Sequence, residues 1–136
     1  AEWDWAAARD DKGKPLRYPW GGTFPPRGRI GNFADQAASA YLEQVIKSYD
    51  DGFAATAPVG SFAPNAHGLY DVAGNVAEWL HDYFAPSPAG GQNPLGPSSA
   101  AQHVVRGASW STASDDKLRS LWREAGAAPR PDLGFR

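Results

Sequence analysis

The chain has 136 residues, a net charge of −2, and neither cysteine nor methionine. That length suits one domain, and the missing thiols exclude disulfides, thiolate metal centres, iron–sulfur ligation and a cysteine nucleophile. Balanced charge without a basic block argues against binding a nucleic-acid backbone, no apolar run approaches the ~18 residues of a membrane span, and 15 Gly with 12 Pro leave room for little but short elements joined by loops.

Leu, Val, Ile and Phe together supply only 22 residues, so the 17 aromatic side chains must carry the core, each contributing a large apolar area. Residues 1–9 read as a short Ala-rich helix with Trp3 and Ala6 or Ala7 on one face, closed by the Asp10-Asp11-Lys12-Gly13-Lys14-Pro15 turn. No capping residue stands before it, so the chain is expected to begin inside an element. Tyr18-Pro19-Trp20-Gly21-Gly22 cannot be helix. Ala38, Tyr41, Leu42, Val45 and Ile46 recur at three- and four-residue spacing and predict a second helix from Ala34 to Tyr49. Asp50-Asp51-Gly52-Phe53 breaks it, and Thr56 to Phe62 is a Pro-bounded extended piece.

Gly68 to Trp79 reads as a tight turn leading into one short amphipathic segment. Residues 86–101 form a polar loop. His103 to Trp110 is the best strand candidate, and a second strand is expected through Leu118 to Trp122. There is no internal repeat.

Three clusters could carry chemistry. Asp71, Gly74, Asn75, Val76 and Glu78 place two carboxylates around glycine-permitted backbone, a mixture that offers a hard cation carboxylate, amide and carbonyl oxygens without needing His or Cys. The same two acids also suit turn and helix capping. Asn32-Phe33 with Asp50-Asp51-Gly52-Phe53 repeats the pattern, and a plain turn accounts for it as well. Interleaved Arg106, Ser109, Trp110, Arg119, Trp122, Arg123, Arg130 and Arg136 could form an anion or cation–π surface, or the arginines could simply pair with Asp115, Asp116, Glu124 or Asp132. His67, His81 and His103 have no metal-ligand spacing, and neither a nucleophile elbow nor a phosphate loop is present.

Taken in order, Ala1-Glu2-Trp3-Asp4-Trp5, Tyr18-Pro19-Trp20-Gly21, Thr56-Ala57-Pro58-Val59-Gly60-Ser61-Phe62, Gly68-Leu69-Tyr70-Asp71, Gly74-Asn75-Val76-Ala77-Glu78-Trp79, Val105-Arg106-Gly107-Ala108-Ser109-Trp110 and Gly134-Phe135-Arg136 resemble the formylglycine-generating enzyme family, the sulfatase-modifying factor domain. The resemblance covers nearly the whole chain and implies the C-terminal portion of one such domain, residues 1–136. It implies an α+β, irregular, loop-rich fold related to the C-type lectin fold.

It further implies structural calcium. One site would use Asp71, the carbonyls of Gly74 and Val76, and Glu78; the other would use Asn32, the carbonyl of Phe33, Asp51 and the carbonyl of Phe53. Formylglycine generators bind copper through two cysteines shortly after their Arg-Gly-Gly-Ser segment. Here Ser111 to Arg119 holds none, so copper is not expected. Ala77 also replaces a common family Trp, which would change the ligand.

The resemblance therefore implies a non-catalytic ligand-binding or display module. Its loops would present Trp110, Arg119 and Trp122 in a groove to a protein, peptide or small molecule, as in the variable proteins of diversity-generating retroelements. The N-terminal remainder of the domain or a companion chain would be a further partner, and many bacterial members are joined to signalling domains. The competing expectation is a cysteine-independent oxidoreductase of the same family, such as a pyoverdine-maturation enzyme. A thiol-free chain is compatible with any compartment.

Overall fold

A computed structural model of the chain describes residues 2–87, 90–91, 94 and 96–135. The expected N-terminal helix is α1, Glu2–Ala7, short because the chain turns back at once: the Leu16 amide donates to the Ala8 carbonyl (2.8 Å) and Asp10 closes the intervening turn. Ala1 lies outside the described residues.

The helix predicted over Ala34 to Tyr49 does not form. Asp35 caps a single 3-10 turn, Gln36–Ala38, by accepting from the Ala37 amide, and the chain then winds so that the Ile46 amide reaches the Ala34 carbonyl (2.8 Å). Of the supposed apolar stripe, Ile46 and Ala38 are buried while Tyr41 is 77% exposed. The spacing mimicked a helical face, but the apolar side chains are used one at a time by distant partners.

Regular structure otherwise consists of one sheet. Its strands are β1 (Ala77–Tyr83), β2 (His103–Arg106), β3 (Glu124–Gly126) and β4 (Leu133–Gly134), in the order β3-β2-β1-β4. β2 is antiparallel to both β1 and β3, whereas β4 runs parallel to β1. Glu78 faces Arg106 and Trp79 faces Val105, after which a bulge in β1 brings Tyr83 opposite His103.

The amphipathic segment ending at Trp79 is thus the start of the longest strand. The strand expected over Leu118 to Trp122 is a series of turns, and pairing begins two residues later at Glu124. Gly126 must lack a side chain, because a Cβ there would lie 2.5 Å from Val105 Cγ2 and 3.1 Å from the Trp79 ring. The described part of the 86–101 loop contains neither helix nor strand, and its other positions lie outside the described residues.

The core sits beside the sheet and is aromatic, as the composition requires. Tyr18, Phe33, Ile46, Tyr49, Ala73 and Leu118 are buried together, with Trp20, Phe24 and Ile30 packed against them. Rings follow one another: Tyr18 stacks on Trp20 at 4.9 Å, Trp20 meets Phe33 at 5.2 Å, and Phe33 meets Tyr49 at 5.8 Å. Their polar ends are satisfied, Tyr49 Oη donating to the Gly31 carbonyl (2.6 Å) and accepting the Ile30 and Gly31 amides, as buried hydroxyls must be to avoid a desolvation cost. Phe33, at the centre, carries the first candidate site on its backbone.

Candidate functional site

The structure gathers Asn32, Phe33, Asp51 and Phe53 around one carboxylate. Asp51 is fully buried, its Oδ2 accepting the Phe33 amide and its Oδ1 the Phe53 amide, each at 2.9 Å. Asp35, equally buried, accepts the Asp51 amide through Oδ2. Burial pushes the Asp51 carboxyl up to about 6, with the neighbouring Asp35 adding to the shift against the opposing pull of the two amides.

Asn32 is fully buried as well. It spends its Nδ2 on the Ala55 carbonyl (2.6 Å), and its Oδ1 is buried with no hydrogen-bond partner among the described residues. A buried oxygen left unpaired costs about 1–3 kcal/mol, and the Asp51 carboxylate beside this segment already accepts two backbone amides, as it would in a plain turn.

The second cluster lies at the Asn75 bend. Asp71 and Asn75 take left-handed backbone (φ 53° and 61°) with Gly74 between them at 80°. At Gly74 a Cβ would lie 2.2 Å from the Asn32 carbonyl oxygen and 2.8 Å from Phe33 Cε1, so only glycine lets the two clusters approach. Asp71 Oδ2 accepts the Gly60 amide (2.8 Å), which is the capping role; Oδ1, however, is buried without a partner among the described residues. Asp71, Val76 and Glu78 border one cavity of about 390 Å³, and buried Glu78 accepts Trp3 Nε1 at 2.9 Å.

Asn75 ties the clusters together. Its amide donates to the Asn32 carbonyl (2.8 Å), and its Oδ1 accepts the Ala57 amide (2.9 Å) and, more loosely, Asn32 Nδ2 (3.4 Å). Each cluster thus holds one buried side-chain oxygen, Asn32 Oδ1 in one and Asp71 Oδ1 in the other, without a hydrogen-bond partner among the described residues.

The C-terminal Arg and Trp residues are less united than their sequence suggests. Half-buried Trp110 donates its amide to the Asn75 carbonyl (2.9 Å) and so buttresses the bend. Arg119 is exposed and pairs with Asp115 and Asp116, and Arg130 pairs with Glu124 and Asp132, as the pairing alternative anticipated. Trp122 borders a cavity of only about 20 Å³.

No ring or cation–π contact joins Trp110, Arg119 and Trp122 among the described residues, and Arg136 lies outside them. In the stretch after Arg106-Gly107-Ala108, Ser109 Oγ and Ser111 Oγ both donate to Asp132 Oδ2, at 2.9 and 2.7 Å. Burial opposes the charge on Asp132, yet those hydroxyls and Arg130 hold its carboxyl below the usual range.

Sequence reasoning named Arg106 as a cation–π candidate but missed its burial and its partner. Arg106 is 6% exposed. Its guanidinium lies 4.3 Å from the Trp3 ring centroid and donates to the Leu121 and Ser120 carbonyls at 3.2 and 3.1 Å. Burial, with Arg123 adding, pulls it down to about 10 against the support of Asp4. With Trp3 bonded to Glu78, α1 is locked onto the sheet. A cavity of about 650 Å³ opens between α1 and the β1–β2 face, bordered by Trp3, Trp5, Arg106, Leu121 and Arg123. No local signal marked the burial of Arg106, since Val104, Val105 and Arg106 are all buried and β2 shows no alternation.

The family model of the sulfatase-modifying factor enzyme 1-like domain matches residues 1–136. The chain belongs to that family. The formylglycine-generating enzyme of Streptomyces coelicolor is 38% identical over 147 aligned positions, covering 100% of this chain and 44% of that protein. The inactive C-alpha-formylglycine-generating enzyme 2 of Mus musculus is 37% identical, over 99% of this chain and 40% of its own length.

Among solved members of this fold, Treponema denticola variable protein 1 superposes with a TM-score of 0.74 at 30% identity, over 98% of this chain and 43% of that one. PvdO from Pseudomonas aeruginosa gives 0.66 at 27% identity, over 98% and 48%. The chain therefore spans less than half the length of these relatives. The loop-rich fold with one small mixed sheet is that of the formylglycine-generating enzyme type.

Proposed function

We propose that the chain is a non-catalytic ligand-binding or display module on a calcium-stabilised scaffold. The observation that carries this is the set of residues following the Arg106-Gly107-Ala108 segment. Ser109, Ser111 and Asp132 form a closed hydroxyl–carboxylate cluster there, and none of the 136 residues supplies a thiol. Without thiolate, the copper chemistry of the formylglycine generators has no ligand in this chain. The kinship to a protein named as inactive supports the same reading.

Calcium would be held by Asn32, Asp51 and the Phe33 and Phe53 carbonyls, and by Asp71, Glu78 and the Gly74 and Val76 carbonyls. It would supply rigidity to a chain poor in aliphatic bulk, satisfying the orphaned oxygens of Asn32 and Asp71. The ligand would be a protein, peptide or small molecule, and the rest of a longer family domain or a companion chain would complete the surface.

The likeness to PvdO favours one alternative, a cysteine-independent oxidoreductase. Its candidate groups are Tyr83 and His103, whose rings lie 4.5 Å apart.

The test is metal analysis of the purified chain combined with a thermal melt with and without chelator. Bound calcium and a melting point that falls on chelation support the scaffold, because a ligand that binds only the folded state stabilises it by mass action. Glu78→Ala also loses the Trp3 bond, so its signature is a melt that responds less to chelator than the parent's does. An unchanged melt on chelation would overturn the proposal, and a bound redox metal would favour the oxidoreductase.

A further inference from the structure

The α1–sheet cleft is unbalanced in charge. Arg106 and Arg123 both border it and stand close enough that Arg123 works against the charge on Arg106. Their compensation is thin. Asp4 lies 4.0 Å from Arg106 and is shared with Arg9, which holds it at 3.2 Å.

Arg123 has no carboxylate partner among the described residues. It donates one Nη1 hydrogen to the Ala85 carbonyl (3.2 Å) and lies over the Phe84 ring at 5.4 Å, which leaves most of its fork of donors unspent. Asp82 also borders the cleft. The wall thus carries Arg9, Arg106 and Arg123 against Asp4 and Asp82, an excess of one positive charge.

The other walls are apolar. Leu80 and Val104 form the floor on the sheet, and Trp5 and Leu121, 56% and 66% exposed, form the rim. Exposed aromatic and aliphatic side chains around a concave site of this volume are characteristic of small-ligand pockets, and a flat guanidinium fork matches a carboxylate in two-point geometry.

We propose that this cleft binds a monoanionic carboxylate carried on a flat apolar body, with Arg123 taking the carboxylate and Trp5 and Leu121 covering the body. The inference rests on the reading of the chain as a ligand-binding module and gives that ligand a charge and a place. It also moves the ligand from the Trp110, Arg119 and Trp122 surface that the sequence suggested to the cleft bordered by Val104 and Arg106 of β2.

Calorimetric titration of the calcium-loaded chain with naphthylacetate, naphthylacetamide and naphthylethylamine separates charge from shape. The carboxylate should bind at least about tenfold more tightly than the amide, a difference of about 1.4 kcal/mol. Arg123→Gln should abolish that preference, and Arg123→Lys should keep most of it. On the unsubstituted chain, proton–nitrogen spectra of the six indoles should show naphthylacetate shifting Trp3 and Trp5.

Equal binding of acid and amide, tighter binding of the amine, no binding of the acid, or shifts confined to Trp110 and Trp122 would each overturn the proposal. If Arg123→Gln fails to fold, the indole shifts and the acid–amide comparison still decide it. A chelator-insensitive melt would instead overturn the calcium scaffold and leave the cleft standing, so the two failures are distinguishable.

Discussion

Replacing Gly74 by alanine tests the contact on which both candidate cation sites depend. The backbone there is left-handed at φ 80°, which costs an L residue about 1 kcal/mol. Steric overlap costs more. The new Cβ would lie 2.2 Å from the Asn32 carbonyl oxygen and 2.8 Å from Phe33 Cε1, and neither neighbour can yield cheaply because Asn32 and Phe33 are both fully buried.

Overpacking of that kind costs about 1–3 kcal/mol. Displacing the Asn32 carbonyl also breaks its bond to the Asn75 amide, about 1 kcal/mol more. The sum is about 3–5 kcal/mol, a large part of the roughly 5–15 kcal/mol that holds a domain together. Gly13→Ala is the matched control, since φ is 77° there with nothing within 4 Å of the added carbon; it should cost about 1 kcal/mol, from the backbone conformation alone. Urea unfolding followed by tryptophan fluorescence measures both. If the two variants fall within about 1 kcal/mol of each other, the close approach of the bend to the Asn32 strand is not what the packing implies.

Arg106→Met should destabilise the chain by about 2–4 kcal/mol, because it strands the Ser120 and Leu121 carbonyls and removes the charge from Trp3; Arg106→Lys, which cannot reach both carbonyls, should fall between it and the parent in the same urea assay. Asp132 carries a pH signature: its carboxyl is held low in the folded chain, so its contribution to stability is fully present above the ordinary value of 3.8 and is lost as the pH falls through the lowered one. Ser111→Ala should raise the Asp132 titration midpoint toward that ordinary value, read by carboxyl-carbon NMR, and an unmoved midpoint would show that the hydroxyl does not hold the charge. Trp3→Phe keeps an aromatic ring, smaller than the indole, but removes the donor to Glu78 Oε2, so its melt should fall by an amount equivalent to at least about 1–2 kcal/mol, and a melt identical to the parent's would deny that α1 is fastened to β1 through this bond.

Legibility followed the range of the interaction that decides each element. α1 and the start of β2 were readable because the signals lie within a few residues, but the strand ends at Arg106 and not at Trp110, because Gly107 and Ala108 take left-handed backbone. The sequence also singled out Asn32, Asp51, Asp71 and Glu78 as oxygen donors beside backbone that can turn; the structure ties Asn32 to Asn75 and puts Asp71 and Glu78 on one cavity, and metal analysis of the purified chain decides whether they hold a cation.

What could not be read was decided at a distance. Ile46 returns to Ala34 and Tyr49 Oη reaches Gly31, so local spacing over 34–49 had no say against those contacts. Ser111 meets Asp132 across 21 residues and Trp3 meets Glu78 across 75; a pairing that long leaves no mark in a window. The Arg and Trp residues near the C-terminus looked like one surface because they are neighbours in sequence. In space Arg106 belongs to Trp3, Arg119 to Asp115 and Asp116, and Arg130 to Glu124 and Asp132.

Anomalous scattering from a crystal of this chain grown with calcium and soaked in terbium tests the scaffold most directly. Two peaks are expected, one contacting Asn32 Oδ1 and Asp51 and the other contacting Asp71 Oδ1 and Glu78, each ringed by oxygens at about 2.3–2.6 Å. Well-ordered density for both loops with water, and no anomalous signal, at those oxygens would contradict the account.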